Sequence, residues 1–166
     1  MRLLFLYMMF CQFLSCSPQE RIPDTVPPPP PPTGTAKTWL ALGDSYTIGH
    51  GVEASDRFPT QTVNILRQAG ININVPDYIA ATGWTTGMLT SQVQSQNPVQ
   101  YDVVSLLIGV NDQYMTHDTS QYRQRFTNIL QKAIQLARGK RQNVFVLSIP
   151  DYSVTPFAQY SDTARI

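Results

Sequence analysis

The sequence predicts an α/β domain in which a parallel sheet is covered by helices on both faces. Strand-like and helix-like segments alternate three times between residues 38 and 149 and end on a strand. The strand candidates at 39–42 and 101–108 are apolar without alternation, as strands buried on both faces are. The segment at 119–138 instead carries its apolar residues at three-and-four spacing, the mark of a helix with one buried stripe. Such crossovers are right-handed and lay helices against the sheet.

Taken in order, Trp39-Leu40-Ala41-Leu42 is a short buried strand that stops at Gly43. Residues 58–70 predict a helix, with Pro59 suited to its first turn and Gly70 to its C-terminal cap. Residues 73–80 make a weaker strand, interrupted by Pro76, and 85–96 a second helix. Residues 101–108 are the strongest strand. In the helix at 119–138 the stripe consists of Tyr122, Phe126, Ile129, Leu130, Ala133, Ile134 and Ala137, and Gly139 ends it. Residues 144–149 predict another buried strand, stopped by Pro150. No internal repeat is visible.

Composition narrows the function classes. Hydrophobic residues make up 42% and charged residues 14%, enough for a packed core and against bulk disorder. Net charge is +1 with no basic run, so charge points to no nucleic acid partner. Cys11 and Cys16 both precede the folded part, which leaves it without a thiol, disulfide or thiolate metal site. His50 and His117 are the only histidines, so neither a metal centre nor another cofactor is expected.

The N-terminus reads as an export signal: Arg2 gives a positive start, and the apolar stretch at 3–10 is too short to span a bilayer. Phe13-Leu14-Ser15-Cys16 resembles the bacterial lipoprotein cleavage box, in which the cysteine becomes the lipidated first residue; an ordinary secretory signal with an incidental cysteine is the other reading. Residues 17–37 contain the proline run 27–32, which prefers extended polyproline II and suits a spacer; a ligand for a proline-binding module is the alternative. The expected organisation is signal peptide 1–16, linker 17–37 and domain 38–166, in the bacterial cell envelope, lipid-anchored through Cys16 or else secreted or periplasmic. Any membrane association would run through the lipid anchor alone.

In open parallel sheets the chemistry collects in the loops beyond the C-terminal strand ends. Three segments lie there: Gly43-Asp44-Ser45-Tyr46, Thr82-Gly83-Trp84-Thr85 and Gly109-Val110-Asn111-Asp112. Each alone is ordinary turn chemistry. Together they supply a serine hydroxyl and N–H, a glycine N–H with free backbone access, and an asparagine amide. Three fixed donors around one oxygen make a site for the oxyanion of a tetrahedral acyl intermediate.

These three segments resemble the SGNH, or GDSL, esterase–lipase family over about residues 39–157. The resemblance implies a flavodoxin-like, three-layer α/β/α fold. It also implies that Ser45 is the nucleophile and that Ser45, Gly83 and Asn111 form the oxyanion hole. The implied substrate is a small-molecule or glycan acyl ester, without a cofactor. A lipase, carbohydrate deacetylase, thioesterase or arylesterase would all fit. Trp84 and Tyr114 are candidates to line an acyl or sugar pocket, or simply to pack.

One family element is missing from the pattern. The family's Asp-x-x-His, whose histidine is the general base, occurs nowhere in this sequence, and no histidine follows His117. Without a base a serine hydroxyl is a poor nucleophile. A C-terminally truncated family member is therefore expected, lacking a last strand or helix and inactive or feeble as it stands; a natural remnant is the other explanation. His50 and His117 sit near the same rim in sequence, with Asp56 and Asp118 nearby, but are expected to be exposed loop histidines. The strand at 144–149 would then be an exposed apolar edge. The competing function is a non-catalytic envelope module that binds acylated glycans or lipids, and a structural lipoprotein with idle rim residues ranks last.

Overall fold

An uninterrupted apolar run needs apolar neighbours on both sides, and Trp39-Leu40-Ala41-Leu42-Gly43 finds them as β1 (Trp39–Gly43), buried at every position. In the computed structural model, which describes residues 31, 33–116 and 119–152, β1 lies between two parallel strands. They are β2 (Asp77–Ala80) and β3 (Val103–Leu107); β4 (Val144–Val146) pairs with β3 to complete the order β2-β1-β3-β4. All the pairings are parallel.

Strand alternation divides the core in two. Leu40 and Leu42 face the same side as Ile79, Val104 and Leu106, where α3 (Thr86–Gln96) and α5 (Thr119–Leu136) cover them with Leu89, Val93, Ile129 and Ala133. Trp39 and Ala41 face the other side and meet Val63 of α2 (Phe58–Gln68). The buried Trp39 indole is satisfied by Ser105 Oγ at 3.0 Å. Helices on both faces of a parallel sheet in this order give the expected three-layer α/β/α arrangement.

The long helices fall close to their predicted bounds, because caps and stripes mark them. Pro59 occupies the first turn of α2, Thr85 caps α3 through its side chain, and Gly139, at φ 73°, follows α5. The strands are shorter than predicted. Pro76 has no N–H to give a ladder, so β2 begins only after it, and Ile73 keeps one isolated bridge to Lys37. At the start of β3, Tyr101 N–H turns away to the Leu136 carbonyl at 2.8 Å.

Two expectations need correction. The strand predicted to be buried over 144–149 has only three residues, and Phe145 and Val146 are 56% and 50% exposed. It is one of the two outer strands among the described residues, so its apolar faces lack the cover that a central position supplies. The exposed edge, expected on other grounds, is what this strand presents. In addition, the segments read as loops after β1 and β3 open short helices, α1 (Ser45–Ile48) and α4 (Val110–Thr116). The signal and Cys16, most of the linker, His117, Asp118 and Phe157 lie outside the described residues.

Candidate active site

The sheet order reverses between β1 and β3: the chain leaves β1 for β2 on one side and returns to β3 on the other. A crevice opens outside the carboxyl ends of strands at such a point. Ser45 follows β1 there and Asn111 follows β3.

Ser45 is held by a crowded turn. A Cβ on Gly43 would run into the Thr47 side chain and the Leu107 carbonyl, so only glycine lets the chain fold this tightly off the strand. Asp44 caps α1 by accepting the Tyr46 N–H at 3.0 Å. Gly49, in the left-handed region at φ 68°, ends the helix, and His50 N–H returns to the Ser45 carbonyl at 2.9 Å. The serine itself is half-buried, at the first position of α1.

Gly83 lies in the turn after β2 at φ 79°, a conformation that L side chains avoid. A Cβ there would meet nothing within 4 Å, so the glycine is required by its backbone and not by crowding. Its neighbours tie this turn to both other segments. Thr82 Oγ1 lies 3.1 Å from His50 Nδ1, and the Trp84 carbonyl accepts from Asn111 Nδ2 at 2.9 Å. An asparagine amide carries two hydrogens, and this bond takes one.

Two cavities flank the serine. One, of about 270 Å³, is walled by Ser45, Tyr46, Val110, Asn111, Tyr114, Met115 and Tyr152. The other, of about 590 Å³, includes Ser45, His50, Asp56, Arg57 and Phe58. Ser45 and Asn111 thus share a wall, whereas Gly83 lines neither cavity and is joined to them through the bonds on either side of it. Tyr114 does line the smaller cavity; Trp84 packs against the main core instead. His50 is exposed, and its ring nitrogen faces a threonine hydroxyl and not Asp56. Among the described residues, no group of three or more His, Cys, Asp or Glu side chains is arranged to hold a metal ion.

Two carboxylates beneath the rim went unassigned in the sequence. Asp44 is 1% exposed, and burial pushes its carboxyl up to about 6. The Tyr46 N–H pulls against that rise, and the charge of Asp112 adds to it. Asp112, also 1% exposed, accepts from both the N–H and the hydroxyl of Thr86 at 2.7 Å and pairs with Arg125 at 3.5 Å. An aspartate before a helix start is a readable cap. The Asp112 partners are distant in sequence and leave no local signal.

Residues 41–165 match the GDSL-like Lipase/Acylhydrolase family along their whole length. The chain belongs to that family. Among relatives of this GDSL-like chain, the secreted effector protein SseJ of Salmonella typhimurium (strain LT2) is 34% identical over 74 residues, which cover 45% of this chain and 18% of that protein. Among solved structures, AlinE4, an SGNH-hydrolase family esterase, superposes with a TM-score of 0.57 at 23% identity over 71% of this chain. TesA superposes with a TM-score of 0.55 at 20% identity over 74% of it. These two likenesses carry the fold alone. The GDSL-like chain spans 62% of AlinE4 and 66% of TesA, less than two thirds of either.

Proposed function

We propose that this GDSL-like chain carries the acyl-transfer half of a serine esterase site. Ser45 Oγ attacks an ester carbonyl carbon as its proton passes to a base. The negative charge that develops on the carbonyl oxygen is received by the N–H of Ser45, the N–H of Gly83 and Nδ2 of Asn111. Collapse of the tetrahedral intermediate expels the alcohol and leaves an acyl-serine, which water then cleaves. The observation that supports this reading best is the shared wall of Ser45 and Asn111, with Asn111 bonded to the residue next to Gly83.

The base is the weak point of the set. The sequence has no Asp-x-x-His, and among the described residues no carboxylate is bonded to the ring of His50, which lines a Ser45 cavity. Loss of one triad member leaves only about 10³–10⁴-fold catalysis over water. Feeble turnover by the 166-residue chain is therefore part of the proposal. The test is p-nitrophenyl acetate hydrolysis by the chain, by Ser45→Ala, and by a fusion that adds a family segment bearing Asp-x-x-His. Ser45-dependent turnover in the fusion is expected; its absence ends the esterase reading.

A second reading is a module that holds acylated glycans or lipids at the same rim without cleaving them; the cavity beside Ser45, walled by Tyr46, Tyr114, Met115 and Tyr152, offers aromatic and apolar surface for such a ligand. A pure binder keeps its affinity in Ser45→Ala and never reacts with a fluorophosphonate. Rapid labelling at Ser45 removes that option.

We further propose that Cys16 is the lipidated first residue of the mature chain and that residues 17–37 hold the domain off the membrane. Cys16→Ser should abolish palmitate incorporation in a bacterial host. Equal incorporation in both forms would rule out the anchor.

A further inference from the structure

We infer that Asp112 and Thr86 are positioning residues that hold the Gly83 N–H and the Asn111 amide in register for one oxyanion. This rests on the esterase reading above and adds what keeps its two non-serine donors in place.

Neither donor holds itself. Apart from its chain neighbours, no described residue has an atom within 4 Å of where a Gly83 Cβ would be, so none of them wedges that side of the turn. Within it, the Trp84 N–H reaches the Ala81 carbonyl only at 3.3 Å. On its N-terminal side the turn has one exposed contact, Thr82 Oγ1 with His50 Nδ1 at 3.1 Å, whereas the buried bonds lie on its C-terminal side. There, two consecutive residues of α4 grip Trp84, just before the α3 cap, and Thr86, the first residue of α3. Asn111 Nδ2 takes the Trp84 carbonyl at 2.9 Å, and Asp112 Oδ2 takes both the Thr86 N–H and the Thr86 hydroxyl at 2.7 Å.

The aspartate bonds are short, charge-assisted and buried, so they are the stiff part of the link. Arg125 Nη2, 3.5 Å from the other carboxylate oxygen, balances the charge. A carboxylate suits 112 because both of its oxygens accept: Oδ2 takes the two Thr86 donors and Oδ1 faces Arg125, whereas a carboxamide that kept its oxygen on Thr86 would turn its NH2 toward the guanidinium. The same clamp therefore fixes a backbone donor on its Thr86 side and a side-chain donor on its Asp112 side. A displacement of about 1 Å between such groups is enough to cost roughly 100-fold in rate.

Thr86→Val deletes the hydroxyl at nearly constant shape, and Thr86→Ser retains it. Both are made in the 166-residue chain. One readout is the NMR order parameters of the Asn111 side-chain amide and the Gly83 backbone amide; the other is the rate at which a fluorophosphonate labels Ser45. The clamp predicts that Thr86→Val loosens both amides together and slows labelling about 10- to 100-fold, and that Thr86→Ser restores both. If both amides stay as ordered as in the wild type while only the melting temperature falls, Thr86 is merely structural and the inference is overturned. If the amides loosen and labelling is unchanged, the clamp stands and the oxyanion assignment of Gly83 and Asn111 falls. The order parameters decide the clamp whether or not Ser45 reacts.

Discussion

Asp44 sits one residue before Ser45, and its charge is held where water does not reach. Its carboxyl is raised by burial from 3.8 to about 6, so between those values the folded chain binds more protons than the unfolded one. Stability must therefore fall as pH rises through that window. Asn is as good a cap as Asp and carries no charge. Asp44→Asn is expected to flatten this pH dependence and to gain about 1 kcal/mol relative to wild type at pH 7. Urea unfolding on either side of the window measures it, and an unchanged slope would show that Asp44 is not the group responsible. At Asn111 the expectation concerns chemistry. Asn111→Ala removes one proposed donor and should slow Ser45 labelling about 10²–10³-fold with the fold intact. Ser45, Gly83 and Asn111 could be picked out as candidates because each stands at a glycine or a turn signal at a strand end. Asp112 was not, since its partners Thr86 and Arg125 come from other helices.

At the scale of elements, the join between β3 and α4 shows how tightly the site is built into the sheet. Gly109 has φ 134°, and a Cβ there would lie 2.5 Å from the Tyr122 hydroxyl of α5. That hydroxyl donates to the Ile108 carbonyl at 3.3 Å. Gly109→Ala should cost about 1–3 kcal/mol through backbone strain and this clash, read by urea unfolding. No loss of stability would mean that the join is pliable. In α5, Ile129 is wholly buried against the sheet, so Ile129→Ala should cost about 2–5 kcal/mol by leaving a cavity. The long helices were readable from their stripes and caps. The short α1 and α4 were not, because four and seven residues are too few to show a helical period. Strand ends were misjudged where the ladder lacks a backbone donor: Pro76 has none, and the Tyr101 N–H goes to Leu136.

At the scale of the whole molecule, β4 is an exposed apolar edge among the described residues. Phe145 and Val146 stand in solvent on an outer strand, and unpaired apolar edges template association with other chains. Val146→Lys should reduce concentration-dependent light scattering while far-UV circular dichroism stays constant. Equal scattering in both forms would mean that this edge is not what associates.

Layer order and family were determined by the sequence alone. Strand alternation, helix stripes and three glycine-marked turns are local patterns, and each residue bears its part without reference to distant ones. Tertiary structure alone decided which residues share a wall. Ser45 and Asn111 face one cavity because β1 and β3 are neighbours in the sheet although far apart in the chain, and Asp112 lies buried because Thr86 of α3 and Arg125 of α5 close over it. Proximity across a sheet and the loss of solvent are properties of the packed whole, and no short window of sequence contains them.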